Sequence, residues 1–184
     1  MRLGPEVVRR AWWRGSGSWL TVGLQAGAVR ALDPMHAYAY SQEVTTIRLP
    51  CYCASLRQAA RLISQQYEAA LRPSGLTLTQ FTLLTALKDY PRARANDLVD
   101  ALAMDQTTLS RTLKLMEDAG LIEREAGEDR RASHWTLTSA GRKSLRRAEP
   151  LWEAAQESVR SSLGEQDARR LSDSVFRITQ KLAT

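Results

Sequence analysis

Asp105-Gln-Thr-Thr-Leu-Ser-Arg-Thr-Leu-Lys-Leu-Met-Glu-Asp-Ala-Gly-Leu-Ile122 is the stretch on which the fold turns. Asp105 is a good helix N-cap, because its carboxylate can accept orphan backbone N–H groups, and Gly120 stands where a helix ends in a left-handed residue. Between them Leu109, Leu113 and Met116 recur at i, i+4 and i+7, so one face is buried. The opposite side carries Gln106, Thr107, Ser110, Arg111 and Lys114: short hydrogen-bonders near the N-terminus, then two cations. That order suits a recognition helix whose first turns reach base edges while later cations meet phosphate.

Working upstream, only Ala103 and Met104 separate this helix from a short one carrying Leu98 and Leu102 one turn apart. Before that, Thr77-Leu-Thr-Gln80 has capping-box spacing and predicts a helix to about Asp89, with Phe81, Leu84 and Leu87 buried, stopped by Pro91. A first helix is expected over about 51 to 71, with Pro50 at its first position. It places Cys53, Leu56, Ala60, Ile63 and Tyr67 on one stripe before Pro73, Ser74 and Gly75 end it.

Downstream the period changes. Leu121 to Glu125 reads as a strand, Ala126 to Arg131 as a polar turn, and Ser133 to Leu137 as a second strand with Trp135 and Leu137 inward. Asp129, Arg130 and Arg131 sit at the tip, where two Arg can enter a minor groove and Asp129 can orient Arg131 by a paired hydrogen bond. Thr138 starts a long helical segment to about Ser162, interrupted by Pro150, and a last helix runs from about Glu165 to Leu182. The fold class is therefore mainly α with a small β-hairpin wing: a winged helix-turn-helix over 76–138, flanked by dimerisation helices over 51–75 and 139–184. The flanking helices carry apolar stripes too long for the central module to cover, and a second copy is their natural partner.

The chain has 184 residues, with 26 Lys+Arg against 20 Asp+Glu and a net charge of +6, which favours a polyanionic partner. Half of that excess falls in residues 1–50, which carry six Arg, no Lys and three acids. This segment is read as a disordered extension or a start placed too far upstream, with Met35 an alternative start. Trp19 to Val29 has the length of a signal-peptide core, but Gly23, Gln25 and Gly27 dilute it. No apolar run reaches the roughly 18 residues of a membrane span, so no membrane partner is expected and the placement is cytoplasmic.

Several blocks together carry a resemblance. The run from Asp105 to Ile122, Asp129-Arg-Arg131, Leu137-Thr-Ser-Ala-Gly141 and Leu78-Thr-Gln-Phe-Thr-Leu-Leu84 resemble the MarR family of bacterial transcriptional regulators, over about residues 52 to 182. The resemblance implies a homodimer on double-stranded DNA with a pseudo-palindromic operator, usually a repressor released by a small lipophilic or phenolic ligand or by an oxidant such as a hydroperoxide. It carries base reading to Gln106, Thr107, Thr108, Ser110 and Arg111, and the wing roles to Asp129 and Arg131. Arg94 stands where many members have a helix-capping Thr, so the start of the third helix is left open.

Cys51 and Cys53 are the only cysteines. Two residues apart on a helix they diverge by about 200°, which strains a bond within one chain. Zinc is not expected, since four ligands are needed and His36 and His134 are far apart. Placed in the first turn after Pro50, with Arg57 one turn beyond Cys53, the thiols are candidates for a lowered pKa. In the family, Cys53 falls where the branch sensing organic hydroperoxides has its reactive cysteine and Tyr67 where that branch has a contacting tyrosine; Arg57 replaces a second tyrosine. Fourteen residues of helix separate Cys53 from Tyr67 by about 21 Å, so they can meet only across two subunits. An inert apolar Cys is the competing reading. So is ligand control through a pocket between the dimerisation helices and the DNA-binding module, lined by Trp152 and neighbouring apolar residues. Two other function classes stand beside the regulator: a thiol peroxidase using Cys53, for which no base is suitably spaced, and a dimeric interaction module. No Gly-rich phosphate loop or metal cluster is read, and no cofactor is expected.

Overall fold

The computed structural model describes residues 47–126 and 133–182. Six helices and one hairpin follow in order: α1 (Tyr52–Leu71), α2 (Leu78–Asp89), α3 (Ala95–Leu102), α4 (Gln106–Asp118), β1 (Ile122–Ala126), β2 (Ser133–Leu137), α5 (Ser139–Leu163) and α6 (Glu165–Leu182). A single 3-10 turn, Arg72–Ser74, joins α1 to α2 and ends on Gly75 at φ 77°.

Local chemistry sets most boundaries. Thr77 accepts from the Gln80 N–H while the Gln80 side chain accepts from the Thr77 N–H, the reciprocal box expected for α2. At α3 the Arg94 N–H donates to Asp97 Oδ2 at 3.3 Å, the half of a capping box that needs no Thr at the cap position. Pro50 lies before the N-cap rather than inside the helix: the first helical bond runs from the Ser55 N–H to the Cys51 carbonyl, making Cys51 the cap. β1 starts one residue later than expected because Leu121 is spent closing α4. Its N–H reaches the Met116 carbonyl (2.9 Å) and the Gly120 N–H reaches Glu117 (2.8 Å), with Gly120 at φ 68°.

The expected interruption at Pro150 is also corrected: α5 runs unbroken through it. Proline removes one N–H from the ladder, yet both flanks of that turn are held by packing, since Ala148 and Ala155 are buried.

α2, α3 and α4 enclose one core with the hairpin. Leu83, Leu84, Leu87, Leu109, Leu113, Met116 and Ile122 are its fully buried side chains, with Leu71 closing it from α1. The strands pair antiparallel with Ile122 opposite Leu137 and Arg124 opposite Trp135. Ala93 adds a single bridge to Trp135, whose N–H donates to its carbonyl at 2.9 Å. This is a winged helix-turn-helix. α5 spans it: Leu145 and Ala148 enter the core beside α2 and β2, while farther on the helix packs along α1 and then α6.

Along α1 the predicted stripe is buried only at its end. Tyr67 and Leu71 are buried, whereas Cys53, Leu56 and Ala60 are exposed. α6 has no buried residue and exposes Leu171, Val175, Ile178 and Leu182.

Candidate nucleic-acid interface

α4 presents its polar face because its apolar one is fixed in the core. Leu109, Leu113 and Met116 are at most 1% exposed, which leaves Gln106, Thr107, Ser110, Arg111 and Lys114 turned to solvent. Asp105 Oδ1 accepts both the N–H (2.9 Å) and the hydroxyl (3.2 Å) of Thr108. Thr108 therefore serves the cap. Those hydrogen bonds, the Thr108 N–H foremost, hold the Asp105 carboxyl below its usual value.

The two cations of this face differ. Arg111 is exposed and makes no ion pair with the described residues. Lys114 is engaged by Asp118 at 2.6 Å and Glu117 at 3.8 Å, and the hydrogen bond and charge of Asp118 raise its pKa. Its i,i+4 acid was visible in the sequence and leaves Lys114 less uncompensated charge than Arg111.

The wing is anchored at its base. Arg92 Nη1 lies 3.3 Å from Glu125 Oε2, and Thr136 Oγ1 donates to Glu125 Oε1 at 3.3 Å. Asp129, Arg130 and Arg131 lie outside the described residues.

Cys51 and Cys53 are both exposed. Cys51 caps α1 in an extended conformation (φ −107°, ψ 123°), so the divergence expected of two helical cysteines does not apply. Both thiols and Arg57 line one shallow groove of about 430 Å³. Tyr67 is not brought to them. It lies 14 residues along the same helix, 8% exposed, and its hydroxyl donates to Gln156 Oε1 on α5. Burial pushes the phenol pKa up, and the charge of Arg160 opposes this.

Comparison with known proteins accords with this geometry. A family model described as MarR family matches residues 74–132. The HTH-type transcriptional regulator YwoH of Bacillus subtilis is 31% identical over 88 residues, 48% of this chain and 64% of YwoH, so the chain spans just under two thirds of that relative. The HTH-type transcriptional repressor Mb2911 of Mycobacterium bovis is 31% identical over 109 residues, 59% of this chain and 78% of the relative. The M. tuberculosis transcriptional regulator MosR, solved in complex with DNA, superposes with a TM-score of 0.65 at 37% identity, covering 72% of this chain and 96% of MosR. The chain belongs to the MarR family. The family match spans α2, α3, α4 and β1, and no described helix is long and apolar enough to cross a membrane.

Two features of this MarR-family chain escaped the sequence. Trp152 stacks on Phe81, with centroids 5.8 Å apart, at the seam between α2 and α5. A cavity nearer the start of α5 is lined by Arg142, Leu145 and Arg146 among others. Its signal was the cation spacing in Arg142-Lys-Ser-Leu-Arg-Arg147, which puts Arg142 and Arg146 one turn apart on one side. The second is Thr138. Besides capping α5 by accepting the Gly141 N–H (3.0 Å), its hydroxyl donates to the Gly120 carbonyl (2.7 Å) and so ties α5 to the end of α4.

Proposed function

We propose that the protein is a homodimeric, sequence-specific DNA-binding transcriptional regulator that acts as a repressor. The carrying observation is the exposed face of α4, where Gln106, Thr107, Ser110 and Arg111 surround a capped helix N-terminus above a rigid apolar seat. In this reading α4 lies in the major groove with Thr108 holding the cap. Arg111 meets phosphate or a guanine edge, Lys114 adds a weaker backbone contact, and Asp129, Arg130 and Arg131 bring the wing to the minor groove. That MosR was solved with DNA supports it. The apolar rows of α6 and of the first half of α1 are the surfaces a second copy covers, setting two recognition helices about 34 Å apart.

Fluorescence anisotropy with DNA upstream of the protein's own coding sequence, against a scrambled duplex, tests this. Preference for the native duplex at moderate salt is expected, and Arg111→Ala should weaken binding and reduce the salt slope by about one. Equal affinity for both duplexes would refute the reading.

Release by a small molecule or by oxidation is the regulatory part of the proposal. For oxidation the supporting observation is the exposure of Cys53 in a groove with Arg57. Its thiolate would attack a hydroperoxide, leaving Cys53 as sulfenic acid and the peroxide as its alcohol. Cys53→Ser should then keep DNA affinity and lose hydroperoxide release; unchanged release would exclude this branch.

A further inference from the structure

The two flanks of α4 that border Arg111 differ in chemistry. On one, Gln106, Ser110 and Lys114 recur at every fourth residue and bring amide, hydroxyl and ammonium groups. On the other, Thr108, Thr112 and Leu115 recur at i, i+4 and i+7 and form one row along the helix. The hydroxyls of this second row are already committed. Thr108 donates its own to Asp105 Oδ1 (3.2 Å), and Thr112 donates its own to the Thr108 carbonyl (2.9 Å). Each threonine therefore has its methyl left to offer, and Leu115 completes an apolar strip.

Leu115 is 56% exposed, whereas Leu109, Leu113 and Met116 of the same helix are at most 1% exposed. A lone leucine in water is ordinary on a protein surface, but the position of this one is not. It stands one turn beyond Arg111, about 6 Å farther along the axis, on the side of α4 turned away from the core. In the regulator reading above, on which this inference rests, that side lies in the major groove. The apolar group that a major groove displays is the 5-methyl of thymine; guanine and cytosine edges offer donors and acceptors, and phosphate offers charge. A rise of about 6 Å is close to two base-pair steps of about 3.4 Å, so the methyl within reach lies about two pairs from the group that Arg111 meets.

We propose that Leu115 is a specificity-determining residue: it packs on the 5-methyl of a thymine in each half-site, with the Thr112 methyl beside it. α4 then reads its site with two chemistries. Gln106, Ser110 and Arg111 recognise donors and acceptors, and the strip ending in Leu115 recognises a methyl group. The buried seat of Leu109, Leu113 and Met116 fixes the rotation of the helix, and so fixes which flank meets which strand.

Fluorescence anisotropy of the full chain tests this on two forms of the duplex upstream of its own coding sequence. One is ordinary DNA; in the other uracil replaces every thymine, which removes the methyls and keeps every base-pair hydrogen bond. Burying one methyl is worth about fourfold in affinity, so contacts in two half-sites should give wild type about tenfold preference for the thymine duplex. Leu115→Ala should bind the thymine duplex about tenfold more weakly and the uracil duplex within about twofold of wild type, which shrinks the preference to about twofold. Leu115→Gln keeps the length of the side chain without its apolar surface and should behave alike. Both variants sit at an exposed helical position and should keep the wild-type circular dichroism spectrum. A thymine preference in Leu115→Ala equal to that of wild type would overturn the proposal. So would a wild-type protein that prefers the native duplex over a scrambled one yet binds its thymine and uracil forms equally. Failure of the regulator reading shows differently, as equal wild-type affinity for native and scrambled thymine duplexes, and it would take this inference with it.

Discussion

Replacing Gly141 by Ala sets two rules against each other. Gly141 lies in the first turn of α5, and an alanine there improves helix propensity by about 1 kcal/mol. But a Cβ at this position would stand 2.0 Å from the Leu121 carbonyl oxygen and 3.0 Å from its carbon. Both partners are backbone, so no rotamer relieves the overlap, and the start of α5 must retreat from Leu121 by about 1 Å or more. That retreat stretches the Thr138 hydroxyl bond to Gly120 (2.7 Å) and the Thr138 N–H bond to Leu121 (3.2 Å). Overpacking costs about 1–3 kcal/mol and each weakened hydrogen bond about 1 kcal/mol. After the propensity gain, Gly141→Ala should destabilise by about 2–4 kcal/mol, lowering Tm by roughly 4–16 °C. Urea unfolding at fixed protein concentration gives the number, because an oligomer's midpoint moves with concentration. A variant as stable as wild type, or more so, would show that the tight seat of α5 on Leu121 does not exist.

Three further outcomes follow from the same structure. Leu113→Ala, at a side chain 1% exposed, should cost about 2–5 kcal/mol in denaturant unfolding. Ile178→Asp on the exposed row of α6 should convert the dimer to monomer in sedimentation while leaving the helical spectrum intact; a persistent dimer would place the interface elsewhere. The Asp105 carboxyl is held below its unfolded value, so its contribution is full above that value and is lost as pH falls through the lower folded one. Asp105→Asn should therefore differ from wild type by a constant amount above about pH 5 and by a shrinking one below about pH 4.

What the sequence made legible was local. Thr77, Asp105, Gly120 and Thr138 announce helix ends through side chains or φ values that act within four residues, and the periods of Leu109-Leu113-Met116 and Trp135-Leu137 name their buried faces without reference to the rest of the chain. Misreadings came where one residue had two uses. Leu121 looks like a strand residue, yet its N–H closes α4; Pro50 looks like a first helical residue, yet the Cys51 carbonyl takes the first bond. The face of α4 was legible as a face, but not that Thr108 is spent on the cap. Trp152 and the cavity beside Arg146 depend on α2, β2 and α5 meeting across more than 50 residues, which no periodicity encodes.

Pro150 gives α5 a mechanical character. The helix is clamped at its start by Leu121 and Thr138, and farther on by α1 through Gln156. Between the clamps it lacks one rung, because residue 150 has no hydrogen to offer the carbonyl of Arg146. A beam with one weakened section bends there first. In the proposed dimer that compliance lies between each DNA-reading module and the shared helices, so an operator whose half-sites are slightly over- or undertwisted is met by flexure at a single turn. In that dimer Pro150 would set how strictly the protein measures the distance between half-sites, independently of which bases it reads.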